Sequence, residues 1–248
     1  MATSTIVPAA LSSSLRAKTS KATPRDIRLE TLDDATPFPV IQQVAETIIL
    51  ALELGSPVWD NMVPKVQAPF DVQVHRAALQ HQMALQNPED GKVYVRAVGT
   101  FDDGRERTLG VTIWQKPGHG YHSVRREELA RENQEAFEGY DLTFRDAFLG
   151  GFQSQRDNLM GNELYWYLSV LVVHPDYQKF RIGSRLLDQG LEELVASNPK
   201  PALLEATPAG ERLYKSRGFV KEVEFLLCEQ YPGMKSLKFP LYRRPADA

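Results

Sequence analysis

A strand pattern that runs directly into a helix pattern constrains the fold of this chain more than any other feature. Glu163–Val173 is rich in aromatic and β-branched residues, which is typical of a strand. Ile182–Ser197 follows after a short turn, and its apolar residues recur at helical spacing. A strand that leads into such a helix predicts a layered α/β fold in which the helix packs on a sheet.

Alternating and helical patterns surround this unit. They predict helices at 37–53, 72–86 and 209–217, and strands at 25–32, 92–100, 109–115, 203–207, 220–230 and 236–243. The polar segment Gly118–Asn162 is helical in places and resembles an insertion packed on a sheet. We therefore expect an α/β (α+β) domain over 26–246, with a mixed, largely antiparallel sheet of about six to seven strands flanked by helices.

Residues 1–25 contain no acidic residue and are rich in Ser, Thr and Ala, with four basic side chains. This composition is compatible with a mitochondrial transit peptide. Pro8 and Pro24, and the lack of a clean apolar face, favour a flexible N-terminal tail instead. We expect a cytoplasmic protein, with the mitochondrion as the alternative.

Composition excludes several classes of protein. The 248 residues are 42% hydrophobic and 25% charged, as in an ordinary globular protein, and Cys228 alone cannot form a disulfide scaffold. The net charge of −3 provides no positive field for nucleic acid. The apolar run Ile48–Leu52 is far shorter than the roughly 18 residues of a membrane span. We expect neither a nucleic-acid nor a membrane partner.

The turn before the second helix pattern ends in Ile182-Gly183-Ser184. Such a turn directs several backbone N–H groups to one point beside the positive end of a helix dipole, and glycine allows an anion to approach closely. The pattern is therefore compatible with a phosphate site. Taken alone, the pattern more often marks a plain structural connection between a strand and a helix.

Two motifs give a specific resemblance. Val173-His174-Pro175, followed by Gln178-Lys179-Phe180-Arg181-Ile182-Gly183, resembles the acetyl-CoA motif of the GNAT superfamily of N-acetyltransferases, Gln/Arg-x-x-Gly-x-Gly/Ala. Arg181 replaces the first glycine, which puts the tight loop geometry in question and offers a guanidinium to a phosphate. The resemblance implies that acetyl-CoA, as co-substrate, contacts Gln178, Lys179, Phe180, Arg181, Ile182, Gly183 and Ser184.

The second motif, Leu204–Phe219, resembles the later GNAT strand and helix with its Leu-Tyr-x-x-x-Gly-Phe ending. Its Ala-Thr-Pro-Ala-Gly stretch is similar to a group of GNAT proteins common in filamentous fungi. Thr207 occupies the position where many members carry an asparagine that touches the cofactor. The resemblance covers roughly residues 26–243, and its specific residues lie within 163–219.

The resemblance implies roles for two further groups. Main-chain groups of Leu171, Val172 and Val173 pair with the pantetheine amides, in a slot where the strands ending at Val173 and Thr207 separate. The family places the hydroxyl of the residue equivalent to Tyr214 near the cofactor sulfur. Because a phenol has a pKa near ~10 and a thiol near ~8.5, Tyr214 is expected to donate a hydrogen bond rather than a full proton. The other interpretation is an aromatic side chain packed beside Phe219.

The base that deprotonates the acceptor is not obvious. Some family members carry a glutamate on the strand where Tyr167 stands, so the carboxylate is missing. Alternation places Tyr165, Tyr167, Ser169, Leu171 and Val173 on one face of that strand. Either Tyr167 and Ser169 relay a proton through water, or the acceptor amine is weakly basic. Tyr165, Tyr167 and Ser169 are the predicted substrate contacts, although the tyrosines are also compatible with half-buried strand aromatics.

The resemblance implies direct acetyl transfer to a small-molecule amine in a ternary complex, by a monomer or homodimer. No cysteine lies in the motifs to form an acyl-enzyme. One alternative is an acyl-CoA-binding protein that has lost catalysis. The other is a protein or peptide N-acetyltransferase, which the lid-like Gly118–Asn162 segment disfavours. His119 and His122 lack partners at metal-ligand spacing, so no metal is expected.

Overall fold

Seven strands form one sheet in the order β1-β2-β3-β4-β5-β7-β6. The structure is a computed structural model and describes residues 22–52, 57–63, 68–120 and 130–247. Neighbouring strands are antiparallel except β4 and β5, which are parallel. The mixed, largely antiparallel sheet is confirmed. The strands are β1 Asp26–Leu32, β2 Lys92–Thr100, β3 Glu106–Gln115, β4 Trp166–Val173, β5 Ala202–Glu205, β6 Val220–Leu226 and β7 Lys238–Arg244.

Seven α-helices with defined ends lie in the described part of the chain. Two predicted helices, at 37–53 and 72–86, correspond to α1 and α3, whereas α2 was not predicted. The predicted helix over 182–197 begins as α6 and continues as a π-helical turn, Gly190–Val195. The helices are α1 Phe38–Leu52, α2 Pro57–Met62, α3 Phe70–Leu85, α4 Gln134–Phe137, α5 Leu142–Met160, α6 Ile182–Gln189 and α7 Glu211–Lys215.

Helices cover both faces of the sheet. On one face, Val44 and Ile48 of α1 pack with Ala84 of α3 against the strands. On the other face, Ile182 and Leu186 of α6 pack against β2 and β3. Burial of these apolar faces holds the layers together.

Two glycines allow α6 to lie close to the sheet. A β-carbon on Gly110 would come within 2.8 Å of Ile182 Cγ2, and one on Gly190 within 2.2 Å of Trp114 Nε1. Both distances are too short for any side chain, so glycine is needed for this approach. The close packing fixes the start of α6 beside the end of β4.

The described part of the Gly118–Asn162 insertion packs on the sheet as predicted. Asp141 caps α5, because its carboxylate accepts from the Phe144 N–H at 2.9 Å. Phe148 and Phe152 of α5 then pack edge-on against Phe239 of β7. Residues 121–129 of the predicted lid lie outside the described residues.

The N-terminal predictions also fall largely outside the structure. Residues 1–21 are not among those it describes, so the tail and the transit peptide stay predictions. Over the four described ranges, no helix has both the length and the apolar character needed to cross a membrane.

Candidate active site

The two central strands separate after a short parallel ladder. β4 and β5 pair only through Trp166 with Ala202 and Tyr167 with Leu203. Beyond this ladder β4 remains hydrogen-bonded to β3. The chain after β5 instead follows β7, because the Ala206 N–H donates to the Pro240 carbonyl, 3.0 Å away. The predicted separation of the strands is confirmed, and it opens a slot beside the carboxyl end of β4.

A β-bulge at Ser169 changes which side chains share a face of β4. Ile113 pairs with Val170 and Trp114 with Leu168, so Ser169 is the extra residue, and its hydroxyl donates to the Ile113 carbonyl at 2.9 Å. The predicted alternation is wrong beyond this point. Leu171 and Val173 pack on the α6 face, not on the face of Tyr167. Because side chains alternate between the two faces of a sheet, one additional residue moves every later side chain to the opposite face.

The turn between β4 and α6 keeps its tight geometry without the first motif glycine. Arg181 adopts a left-handed conformation with φ of 58°, and Lys179 has φ of 75°. Glycine favours this region, whereas other residues reach it at a cost. Gln178, Lys179, Phe180 and Arg181 are exposed, and no side chain caps the N-terminus of α6 at Ile182. The first-turn N–H groups therefore remain available to an anion.

Gly183 lies in the first turn of α6, and Ser184 follows it. A β-carbon on Gly183 would lie 3.5 Å from Val173 Cγ2 and 3.7 Å from Leu213 Cδ2, which are ordinary contacts. The protein itself therefore has room for a side chain here. A glycine at this position fits a phosphate that approaches the backbone closely, so the turn is suited to the pyrophosphate of acetyl-CoA.

Tyr214 lies on α7, which follows β5. Its side chain is buried, packs edge-on against Phe219 with ring centroids 6.0 Å apart, and shares a core cluster with Trp166 and Leu168 of β4. Gly210 makes room for the ring, since a β-carbon there would lie 2.6 Å from Tyr214 Cε2. Loss of solvent raises the pKa of Tyr214 to about 12. Thr207 is exposed on the loop before α7.

A cavity of about 290 Å³ lies between the sheet, α3 and α5. Tyr167 and Ser169, both predicted substrate contacts, line it. Tyr165 does not line it. Its hydroxyl accepts from the amide nitrogen of Gln153 on α5, 3.1 Å away. Other side chains that line the cavity include His81, Tyr94, Ile113, Phe152, Arg156 and Val170.

Two residues beside this cavity were missed by the sequence analysis. Arg156 Nη1 donates to Glu205 Oε1 at 2.6 Å, and its guanidinium carbon lies 3.7 Å from the centre of the Tyr167 ring. The Tyr167 hydroxyl donates to Glu205 Oε2 at 2.7 Å. A carboxylate in contact with Tyr167 thus comes from β5 and not from β4. In the sequence, the only indication of a role for Glu205 was its position inside the second motif, two residues before Thr207.

His81 and Tyr94 form a second polar pair in the cavity. His81 Nδ1 lies 3.1 Å from the Tyr94 hydroxyl. Loss of solvent, helped by Lys92 and Arg145, lowers the pKa of His81 to about 3, so its imidazole is neutral.

Nothing among the described residues resembles a metal centre. No group of three or more His, Cys, Asp or Glu side chains is arranged there to hold an ion. His119 Nδ1 contacts the Glu89 carbonyl at 2.9 Å, and His122 lies outside the described residues.

Comparison with known families identifies the part of the chain that carries this site. Residues 114–225 match the family described as acetyltransferase (GNAT) domain. This segment is similar to GNAT acetyltransferase domains. It contains the separated strands, the turn before α6, and Tyr214, and the match supports the predicted acyltransferase class. Among curated protein sequences, none matches the chain. The similarity to filamentous-fungal members stays a prediction.

Solved structures share the GNAT fold over most of the chain. Arylalkylamine N-acetyltransferase 2 from Aedes aegypti is 16% identical, with a TM-score of 0.56 over 90% of this chain and 100% of its own. The Drosophila melanogaster polyamine N-acetyltransferase is 12% identical, with a TM-score of 0.53 over 88% and 98%. A NatC complex bound to Gag peptide and CoA is 13% identical, with a TM-score of 0.50 over 89% and 98%. Identities this low indicate a shared fold alone.

Proposed function

We propose that this protein transfers the acetyl group of acetyl-CoA to the amine of a small molecule, by direct attack in a ternary complex. The observation that carries the proposal is the position of the β4–β5 slot. It opens beside the turn between β4 and α6 at one end of β4, while Tyr167 and Ser169 border a cavity at the other. We also propose that residues 26–246 act as one domain, in a cytoplasmic monomer or homodimer without a metal.

The residues of the slot match what acetyl-CoA needs. The turn from Gln178 to Ser184, with the first N–H groups of α6, would hold the pyrophosphate, and Arg181 adds a positive charge. Main-chain groups of Leu171–Val173 would pair with the pantetheine amides. Thr207, exposed just after β5, would contact the cofactor from the other strand.

In the proposed reaction the neutral amine attacks the thioester carbonyl, the C–S bond breaks, and the thiolate leaves. A backbone N–H near the end of β4 stabilises the developing oxyanion. Tyr214 donates a hydrogen bond to the sulfur as charge develops. Its pKa of about 12 lies well above the ~8.5 of a thiol, so complete proton transfer from Tyr214 is unfavourable. The thiolate takes its proton from solvent or from the amine.

A small acceptor is favoured over a peptide. The cavity of about 290 Å³ is bounded by α3 and α5 on the sides and by the sheet beneath. Structures of similar fold include arylalkylamine, polyamine and agmatine N-acetyltransferases, and also the peptide-bound NatC complex. A cavity of this size, bounded by two helices and the sheet, supports the small-amine enzymes as the guide to the acceptor.

Two measurements test the proposal. Isothermal titration calorimetry measures acetyl-CoA binding, and mass spectrometry then detects acetylated products from arylalkylamines, polyamines, agmatine and short peptides. We expect acetyl-CoA binding and acetylation of at least one small amine. Acetylation of peptides only would indicate a protein acetyltransferase, and binding without acetylation would indicate an acyl-CoA-binding protein.

A further inference from the structure

Three side chains meet where β4 and β5 separate. Tyr167 is the last residue of β4 in the parallel ladder, Glu205 ends β5, and Arg156 comes from α5. Each of them contacts the other two, with Arg156 to Glu205 at 2.6 Å, Tyr167 to Glu205 at 2.7 Å, and Arg156 over the Tyr167 ring at 3.7 Å. We call this set the Tyr167 triad. Of its three members, Tyr167 and Arg156 line the cavity.

The triad determines the direction of the Tyr167 hydroxyl proton. A carboxylate only accepts hydrogen bonds, and a tyrosine hydroxyl has one proton to give. Since the Tyr167 hydroxyl oxygen lies 2.7 Å from Glu205 Oε2, the hydroxyl proton is donated to Glu205. What remains on the Tyr167 oxygen is its capacity to accept.

Burial keeps this arrangement in place. The side chains of Arg156 and Glu205 are 3% and 9% exposed. Because they are so deeply buried, replacing either partner by water would cost considerable free energy. Loss of solvent also raises the pKa of Tyr167 far above its usual range, and the residue stays a neutral phenol. The Arg156 guanidinium, stacked on the ring, fixes the position of the tyrosine.

We propose that Glu205, held by Arg156, orients the Tyr167 hydroxyl so that its oxygen accepts a hydrogen bond from the N–H of the acceptor amine. A free tyrosine hydroxyl would donate to the amine lone pair and make it less nucleophilic. With its proton committed to Glu205, Tyr167 holds the amine by an N–H and leaves the lone pair for the thioester carbonyl. Glu205 is therefore a positioning residue for the proposed acetyl transfer, on which this inference rests.

A double-mutant cycle on the full chain tests this inference. The variants are Tyr167→Phe, Glu205→Gln and the two combined, and the fastest amine of the panel is the probe. Tyr167→Phe should lower kcat/KM for the amine by about tenfold, the value of one hydrogen bond. Glu205→Gln should lower it at least as much, because the Gln amide donates to Tyr167 and turns the hydroxyl proton toward the amine. In the Tyr167→Phe background, Glu205→Gln should change kcat/KM by less than about twofold.

Two controls separate positioning from a general structural effect. Tyr231→Phe removes the hydroxyl of a ring that packs on Phe144 outside the cavity lining, and it should leave kcat/KM unchanged. The affinity for acetyl-CoA should stay within about twofold of wild type in all variants, since the triad does not belong to the phosphate turn. If Glu205→Gln fails to fold because it leaves Arg156 unpaired, Arg156→Met/Glu205→Gln removes both charges and replaces it in the cycle.

The possible results are distinct. A Glu205→Gln effect of equal size with and without the Tyr167 hydroxyl would overturn the positioning role while leaving the proposed function intact. A wild-type protein that acetylates no amine would overturn the proposed function, and this inference with it.

Discussion

The backbone of Gly183 lies against the side chain of Val173, the last residue of β4. A β-carbon on Gly183 would be 3.5 Å from Val173 Cγ2, an ordinary van der Waals distance. The fold therefore tolerates a side chain at the point where the proposed phosphate site requires its absence. This allows a test that separates ligand binding from stability.

Gly183→Asp is expected to abolish acetyl-CoA binding without unfolding the protein. The side chain would block the approach of the pyrophosphate, and its carboxylate would repel it at the N-terminus of α6. Gly150→Asp is the matched control, because a β-carbon at Gly150 meets nothing within 4 Å. Calorimetry should show binding only in the control, with both variants folded by circular dichroism. Wild-type affinity in Gly183→Asp would rule out the phosphate turn.

Arg181→Gly restores the family glycine at a residue with φ of 58°. Relief of the left-handed strain should raise the free energy of unfolding by up to about 1 kcal/mol, part of which is offset by the flexibility of glycine in the unfolded chain. The affinity for acetyl-CoA should change less than tenfold, with a weaker salt dependence if the guanidinium contacts a phosphate. Denaturant unfolding and calorimetry measure both. A loss of affinity beyond a hundredfold would identify Arg181 as a principal anchor.

Tyr214→Phe should lower kcat by roughly 10- to 10³-fold and leave the KM for acetyl-CoA nearly unchanged, because the hydroxyl helps only as charge develops on sulfur. The ring stays packed on Phe219, so the melting temperature should barely move. Steady-state kinetics and thermal unfolding provide the two readouts. Full turnover would reduce Tyr214 to a packing residue, and a much lower melting temperature would mean that the hydroxyl stabilises the fold.

His81 should make the protein less stable in acid. Its pKa is lowered to about 3 in the folded protein from about 6.5 in the unfolded chain, so the unfolded state binds more protons between these values. The free energy of unfolding should therefore fall as the pH drops from about 6.5 toward 3, by about 1.4 kcal/mol per pH unit at most. His81→Gln should flatten this part of the curve in urea unfolding. An identical acid dependence in the variant would contradict the neutral, desolvated imidazole.

Regular periodicity made much of the fold predictable from the sequence. β2 was predicted at the bounds observed, Lys92–Thr100, and the helix predicted at 37–53 is α1, Phe38–Leu52. Each has a strongly apolar face with a single period, so local pattern and tertiary packing agree. The short helix α2 was missed because it begins at Pro57, the last residue of Gly55-Ser56-Pro57, a sequence that is typical of a turn.

The bulge in β4 has no signature in the amino-acid sequence. Ser169 is followed by apolar residues that are compatible with either face, so the extra residue leaves no trace in the pattern. Only the pairing of β4 with β3 shows that Leu171 and Val173 have changed sides.

The candidate site likewise has one part that the sequence indicates and one part that only the structure shows. The turn between β4 and α6 and Tyr214 lie within contiguous motifs, so their proposed roles could be inferred from the sequence. The contact of Arg156 with Glu205 joins residues 49 positions apart on α5 and β5, and it depends on how the insertion packs on the sheet. No local pattern in a polar insertion specifies such a pair.

The most direct test of the central claim is the release of CoA from acetyl-CoA, measured with and without the amine panel. The account predicts release that depends on an amine and matches the N-acetylated product one to one, with no acetylated enzyme in the intact mass spectrum. Acetyl-CoA that binds but is never cleaved with any amine would contradict it.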